Sequence, residues 1–407
     1  MTKKIVVCDD LEERRGDWRR KLEGLAPPPE WEIELLTEDE LAHELRVLQA
    51  RQLTARPDAG SHDLEVDPEE TSKFDQTSIL IMDYDLALFE KPGLTGEQVT
   101  YLSRCYSGCK VIVGVNTTGQ TNYFDLTLVD HINSFADVNV GSDQLTSPIL
   151  WDEEPSGLSP WSWPSLPSLL IRHDQCVDIV GDGQENLLET VGLDGIGLPR
   201  QIGQPIESDG EESPDFAAFV QKSLLGLRGE DAPWKGTTAR VGAARSMKWL
   251  QCMVLTAQDI LVDAPHLSQR NPLLLGVEPD LLNRDVFERT TDRQGAAAHM
   301  VEGLKIHQIP PSPWFDRPLW RSADVNSDNS LPGVASPWDR PDPTFFFCED
   351  VSRFLPPSLA RRFLMDDTVP TSQPIRYVAK QGAPGLAEIV GSDLTDVQYL
   401  PKVRLTL

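Results

Sequence analysis

The chain has 407 residues, a length that favours two or three domains with sizeable hydrophobic cores. With 40% hydrophobic and 25% charged residues, its composition is typical of soluble globular proteins. The formal net charge of −27 disfavours non-specific contact with nucleic acid or anionic membranes. No basic face with interleaved aromatic residues occurs, so we expect no direct nucleic-acid binding.

The start of the chain and its cysteines favour the cytoplasm. The opening Met-Thr-Lys-Lys leads straight into an apolar run that is too short for a secretory leader. No segment approaches about 18 uninterrupted apolar residues, so we expect neither a transmembrane helix nor a membrane partner. The six cysteines are scattered without a CxxC pair, which indicates neither a zinc site nor a disulfide framework.

Residues 1–145 alternate strand and helix patterns. The predicted strands are Lys4–Cys8, Trp31–Leu35, Ile79–Met82, Val111–Val115 and, more weakly, Phe135–Val140. The predicted helices follow Asp10, run from Thr37 to about Arg51, and span Thr95–Cys105. The first carries Leu11, Trp18, Leu22 and Leu25 on roughly one apolar stripe, with Arg14 largely off it. Continuous apolar runs are typical of strands buried on both faces, and their alternation with helices predicts a doubly wound parallel sheet. The polar residues 54–76 interrupt the pattern and predict an inserted loop.

The composition changes after residue 145. Closely spaced prolines and tryptophans predict an ordered but irregular connector over 146–214, with an exposed acidic loop at 203–214. Helices are predicted over Ala243–Val262, Leu274–Glu288 and Arg353–Met365, and a strand over Phe345–Cys348. We therefore expect an α/β domain over 1–145, a connector, and an α+β region over 215–407.

Acidic residues follow two of the predicted strands. Asp9 and Asp10 come after the first, and Asp83 closes the run Ile79–Met82. In doubly wound sheets ligands bind at the carboxyl ends of the strands, so these three carboxylates are expected to meet there. They suit Mg²⁺, which prefers oxygen ligands, with Asp10 and Asp83 as ligands and Asp9 acting through water. Asp83 is then the candidate nucleophile for phosphoryl transfer, whereas each acid alone could equally be a helix cap or a loop acid.

The acidic pair after the first strand and the single Asp83 after the third resemble the receiver domain of two-component response regulators. The segment Lys91-Pro92-Gly93-Leu94-Thr95-Gly96 resembles that family's loop before the third helix. The resemblance implies a five-stranded sheet of order 2-1-3-4-5, a phosphoacceptor at Asp83, Mg²⁺ bound by Asp9, Asp10, Asp83 and the backbone carbonyl of Asp85, and a sensor histidine kinase as phosphodonor.

Two positions depart from that family. Asn116 and Thr117 follow the fourth strand, where the family has Thr or Ser, and both are candidate phosphate contacts. The lysine that the family carries after the fifth strand is missing, because no Lys occurs between Lys110 and Lys222. Ser142 occupies that place and is the third candidate phosphate contact. We therefore expect phosphoryl acceptance with an unusual readout, or storage without readout.

The second half carries weaker signals. His173-Asp174 predicts hydrogen bonding in a loop, and Glu349-Asp350 predicts a helix cap after the strand Phe345–Cys348. The tryptophans between 314 and 338 are expected to be core or interface anchors.

Three hypotheses about function follow. The first is a phosphoacceptor, and the architecture resembles receiver proteins of bacterial anti-phage two-component systems, in which such a protein serves as a phosphate buffer or regulator beside a partner regulator or effector. The second is a phosphorylation-independent interaction or scaffold module. The third is a receiver-regulated enzyme with its active site in 150–407.

Overall fold

The computed structural model describes residues 2–25, 30–55, 66–86, 95–116, 132–142, 144–152, 163–198, 214–221, 233–292, 295–336, 338, 340–363 and 376–391. These residues form two compact units, the first ending at Leu250 and the second beginning at Gln251. Within these ranges no helix combines the length and the hydropathy that a membrane crossing requires.

The first unit contains a five-stranded, all-parallel sheet. Its strands are β1 (Lys3–Cys8), β2 (Trp31–Leu35), β3 (Ile79–Asp83), β4 (Val111–Asn116) and β5 (Val138–Gly141). Their order is β2-β1-β3-β4-β5, which confirms the predicted α/β class and topology. β3 and β4 are buried throughout, as their continuous apolar runs predict, and the alternating β2 is the partly exposed edge.

Helices flank this sheet. They are α1 (Glu12–Glu23), α2 (Glu38–Ala55), α3 (Gly96–Tyr106), α4 (Pro148–Trp151), α5 (Leu166–Val180), α6 (Leu187–Thr190) and α7 (Thr238–Trp249). The predicted capping box of α2 is present: Glu40 N donates to Thr37 Oγ1, and Thr37 N donates to Glu40 Oε2. Thr95 caps α3 by accepting from Gln98 N.

The segment 54–76 is more structured than the predicted loop. Residues 54 and 55 end α2, and a 3-10 helix spans Lys73–Gln76 and buries Phe74 in the core. Arg51 holds this segment by donating to Pro68 O at 3.0 Å and to Asp75 Oδ2 at 2.8 Å. Residues 56–65 lie outside the described residues.

The core of the first unit extends well beyond residue 145. Val220, Trp234 and Val241 are buried in the same hydrophobic cluster as Val99 and Leu102 of α3. This packing follows from the sequence of α7, whose apolar face needs a partner. The described residues of 163–198, 214–221 and 233–250 therefore belong to the first unit.

Hydrogen bonds to backbone carbonyl oxygens also join these segments. Trp234 N and Thr237 Oγ1 both donate to Cys105 O at 2.9 Å. The Arg245 guanidinium donates to Ser134 O at 2.9 Å. Segments more than 100 residues apart in sequence are thus joined within one unit.

The second unit is built from helices and short strands. Its strands are β6 (Leu261–Asp263), β7 (Leu319–Arg321), β8 (Phe346–Cys348), β9 (Arg353–Leu355), β10 (Ala360–Phe363) and β11 (Arg376–Ala379). Its α-helices are α8 (Ala264–Arg270), α9 (Arg284–Glu288), α10 (Ser322–Ser327) and α11 (Leu386–Val390). Its 3-10 helices are Pro272–Leu275, Pro279–Leu281, Arg289–Thr291, Ala296–His299 and Glu302–His307. β6 pairs with β7, and the other strands form a sheet of order β10-β11-β8-β9, so the predicted α+β class is confirmed.

Two predicted helices of this region are interrupted. The α-helix expected over Ala243–Val262 ends at Trp249, continues as a π-helix over Leu250–Leu255, and gives way to β6. The helix expected over Leu274–Glu288 is divided into short turns, because Gly276 adopts a left-handed φ of +69° and Pro279 follows closely.

The helix predicted over Arg353–Met365 is wrong. Arg353–Leu355 forms β9, which pairs with β8 in an antiparallel hairpin, and Ala360–Phe363 forms β10. Pro356-Pro357 between them cannot continue a helix. The predicted cap at Glu349-Asp350 is also wrong, because both residues lie in the turn of that hairpin.

Candidate metal centre

Three carboxylates meet at one edge of the parallel sheet. Asp9 and Asp10 directly follow β1, and Asp83 is the last residue of β3. β1 and β3 are adjacent and parallel, with Cys8 opposite Met82, so their carboxyl ends lie side by side. Each of the three acids offers an oxygen, and these oxygens lie within 4.8 Å of one another. The three carboxylates therefore meet at the ends of the two strands, as the sequence predicts.

The two inner acids are buried. Asp83 is 0% exposed and Asp9 is 1% exposed. Burial and the neighbouring Asp9 carboxylate raise the pKa of Asp83 to about 8, and Arg14 opposes this shift. Burial also raises the pKa of Asp9 to about 6, although its oxygen accepts a hydrogen bond from Leu11 N at 2.7 Å. The neighbouring carboxylates repel one another when they are charged, and a bound cation would reduce that repulsion.

Asp9 does not act as the N-terminal cap of α1. The capping position is Leu11, whose side chain makes no capping hydrogen bond. Asp9 instead accepts from Leu11 N just before the helix, while its own carbonyl accepts from the buried Arg15 guanidinium. The hydrogen bonds around Asp9 therefore fix the loop that carries the acidic pair.

Arg14 is the basic side chain of this site. Its Nη1 donates to Asp83 Oδ2 at 2.9 Å and lies 3.4 Å from Asp9 Oδ2. Among the described residues, it is the only side chain that forms ion pairs with both acids. The sequence placed Arg14 away from the apolar stripe of α1, but nothing in its spacing identified this contact.

The loop after Asp83 is held by close backbone packing. Tyr84 N donates to Val115 O at 2.8 Å, and Gly96 N donates to Tyr84 O at 2.8 Å. A Cβ on Gly96 would lie 2.2 Å from Asp83 O, so only glycine fits there. Asp85, the predicted carbonyl ligand, pairs its backbone with Thr95. The backbone beside the nucleophile candidate therefore has little freedom.

Two of the three predicted phosphate contacts, Asn116 and Ser142, lie along the same sheet edge. Asn116 ends β4, the strand next to β3, and is buried. Ser142 directly follows β5, and its N donates to Asn116 O at 3.2 Å. Thr117 lies outside the described residues, as do residues 91–94 of the predicted loop. Lys110 precedes β4 at the opposite edge and pairs with Asp174 at 2.6 Å.

The residues present suit Mg²⁺. Its preferred ligands are carboxylate oxygens, and three carboxylates converge here. Asp83 Oδ1 is buried and has no hydrogen-bond partner among the described residues. A buried carboxylate oxygen without a partner is costly. Asp9, Asp10 and Asp83 would hold such a cation, which would supply the missing positive charge.

A second buried charged cluster lies wholly within the second unit. His266 Nδ1 lies 2.7 Å from Asp263 Oδ1, and His266 Nε2 lies 3.2 Å from Glu349 Oε1. Glu349 also accepts from the Arg376 guanidinium. Burial lowers the pKa of His266, but the two carboxylates outweigh it and raise that pKa above its ordinary value. No sequence pattern predicted this cluster, because Glu349 is 83 residues from His266.

The cluster is closed to solvent. Asp263, His266 and Glu349 are each at most 2% exposed, so we assign them a structural role.

His173, predicted in a loop, lies instead on α5 and is buried. Trp314 and Trp320 are buried as predicted, whereas Trp338 is exposed.

The strand order 2-1-3-4-5 with acids at the ends of β1 and β3 fits a receiver-like fold. Sequence and structure were compared with family models, curated proteins and solved structures. No family model matches the chain, and neither a curated protein nor a solved structure does.

Proposed function

We propose that this chain accepts a phosphoryl group on Asp83 in a Mg²⁺-dependent reaction. The observation that carries the proposal is the convergence of Asp9, Asp10 and Asp83 within 4.8 Å at the carboxyl edge of the sheet. The unpartnered Asp83 Oδ1 supports it, because a buried carboxylate oxygen there is available as a ligand or a nucleophile.

The chemistry assigned to the side chains is simple. A carboxylate oxygen of Asp83 forms a bond to phosphorus, while the bond from phosphorus to the donor breaks and its electron pair leaves with the donor. Bound Mg²⁺ would offset the charge of the carboxylates and of the phosphoryl oxygens. Asp9, Asp10 and Asp83 would hold the ion, and the packing of Gly96 against Asp83 O fixes the position of the nucleophile.

The proposed donor is a phosphohistidine of a sensor histidine kinase. The proposed role is a phosphate buffer or regulator in a bacterial anti-phage two-component system, beside a partner regulator or effector. The lack of any lysine between Lys110 and Lys222 favours storage over ordinary signalling. Transfer from a phosphorylated kinase to this chain, with no change in its binding to other proteins, is the result expected of a buffer.

The direct test is intact mass spectrometry after incubation with acetyl phosphate. The wild-type chain is expected to gain one phosphoryl group when Mg²⁺ is present and none when it is chelated. Asp83→Asn is expected to gain none. Asp17→Asn is the matched control, because Asp17 is an exposed acid on α1 that pairs with Lys21. Equal labelling of Asp83→Asn and wild type would refute the proposal.

One observation favours a second candidate, the phosphorylation-independent interaction module. Arg14 already pairs with Asp9 and Asp83, so the acids are partly neutralised without a metal. This candidate predicts that Mg²⁺ titration produces no binding heat and that Asp83→Asn keeps the thermal stability and the partners of the wild type.

A further inference from the structure

Arg14 places a positive charge next to the two buried acids. Its guanidinium bridges Asp83 Oδ2 and Asp9 Oδ2 at 2.9 and 3.4 Å. Its side chain is 27% exposed and therefore borders solvent, whereas the Asp83 side chain is 0% exposed. The two acids that it joins are buried and cannot move with it.

A phosphoryl group on Asp83 replaces the single charge of that carboxylate with about two negative charges, beside the two carboxylates of Asp9 and Asp10. The chain as a whole carries a net charge of −27, so its long-range field repels a phosphoanion. A protein cation close to the acceptor would offset this charge in addition to a metal ion. Lys110 lies at the opposite edge of the sheet and is paired with Asp174.

We propose that Arg14 is an exchangeable counter-ion that pairs with Asp83 before transfer and with the phosphoryl group during and after it. The inference deepens the proposed function and rests on it. The geometry is favourable because a phosphoryl oxygen on Asp83 is separated from the carboxylate oxygen by phosphorus alone. The planar guanidinium fork can donate to two phosphoryl oxygens at once.

The same geometry implies that Arg14 and Mg²⁺ compete for the same carboxylates. Before transfer, Arg14 and Mg²⁺ are both attracted to Asp83 and Asp9, so the guanidinium lowers the affinity of the acids for the metal. During transfer the guanidinium stabilises negative charge on the phosphoryl oxygens as the new bond to Asp83 forms and the bond to the donor breaks. Removing Arg14 thus has opposite effects on metal binding and on transfer, which a purely structural role does not produce.

The test compares Arg14→Ala, Arg14→Gln and Arg14→Lys with wild type. Labelling rates with acetyl phosphate are measured at saturating Mg²⁺, and the Mg²⁺ Kd is measured by titration calorimetry without a phosphodonor. Arg14→Ala and Arg14→Gln are expected to be labelled roughly 10- to 100-fold more slowly, as for the loss of a charged hydrogen bond. Their Mg²⁺ Kd is expected to be no higher than that of wild type. Arg14→Lys is expected to be intermediate in rate.

Arg19→Ala is the matched control, because Arg19 lies on the same helix and, within the described part of the chain, pairs only with the exposed Glu23. Its rate and Kd should equal those of wild type. A wild-type rate in Arg14→Ala and Arg14→Gln overturns the role of Arg14 alone. A slower rate accompanied by weaker Mg²⁺ binding and a lower Tm also overturns it, in favour of a structural role. An unlabelled wild type overturns the phosphoacceptor proposal and this inference together.

Discussion

Replacing Gly96 with alanine tests how the fold positions the acceptor. Gly96 begins α3 and packs on the backbone that follows β3. An added Cβ would lie 2.2 Å from Asp83 O and 2.7 Å from Tyr84 Cα. Asp83 O belongs to the buried end of β3 and Tyr84 is the next residue, so the clash can be relieved only by moving α3 or this backbone. We therefore expect Gly96→Ala to reduce both stability and phosphoryl acceptance.

The size of the destabilisation caused by Gly96→Ala follows from two opposing effects. Overpacking a tight site costs about 1–3 kcal/mol, and contacts with backbone atoms favour the upper end of that range. Alanine in a helix is more favourable than glycine by about 1 kcal/mol, which offsets part of the clash. The expected net destabilisation is about 2 kcal/mol.

Gly16→Ala provides the matched control. Gly16 lies within α1 of the same unit, and a Cβ there would meet nothing within 4 Å. It should therefore stabilise the unit by about 0.5–1 kcal/mol. Urea unfolding of the full chain, followed by tryptophan fluorescence, should shift in opposite directions for the two variants. A Gly96→Ala variant as stable as Gly16→Ala would refute the account of this contact.

Three further predictions concern the rest of the chain. His266→Leu leaves the buried Asp263 and Glu349 without the cation they share, so thermal unfolding should show a loss of about 3–5 kcal/mol; a loss below about 1 kcal/mol contradicts this. Burial raises the pKa of Asp350 from 3.8 to about 6. The fold therefore favours protonated Asp350, so the stability that this group contributes is fully present below about pH 4 and is lost as the pH rises to about 6. Asp350→Asn should remove that dependence, and an unchanged pH profile of Tm would argue against it. A fragment ending at residue 145 lacks Val220, Trp234 and Val241 of the core and should not unfold cooperatively, whereas residues 1–250 should; cooperative unfolding of the shorter fragment would refute the extended core.

The parallel sheet and its acidic edge could be predicted because the signals are local. Ile79–Met82 and Val111–Val115 are continuous apolar runs, and such strands are buried on both faces. Once two parallel strands are adjacent, residues at their ends must meet. Asp9, Asp10 and Asp83 were therefore predictable as a group from strand context alone.

The contact of Arg14 was not predictable in the same way. Its distance from the apolar stripe of α1 indicated only that it lies off the core face. Whether such an arginine points to solvent or back over the sheet edge depends on the angle at which the helix leaves β1. That angle is set by the loop in which Leu11 N donates to Asp9, and periodicity carries no information about it.

The errors in the second unit have a common cause. Arg353–Met365 contains good helix formers, but β9 is stabilised by pairing with β8 and β10 by pairing with β11. Strand pairing, which the propensities of a single segment do not reveal, overrides local propensity here. The cluster around His266 is similar, because its acidic partner Glu349 is contributed by a remote hairpin.

The central claim, that Asp83 accepts the phosphoryl group, is tested most directly by trapping the acyl phosphate. The chain is incubated with acetyl phosphate and Mg²⁺ and reduced with borohydride, which converts a phosphorylated aspartate to homoserine, and its peptides are then mapped by mass spectrometry. The account predicts homoserine at position 83 and unmodified aspartate at positions 9 and 10. Reduction at another carboxylate, or recovery of position 83 wholly as aspartate, would contradict it.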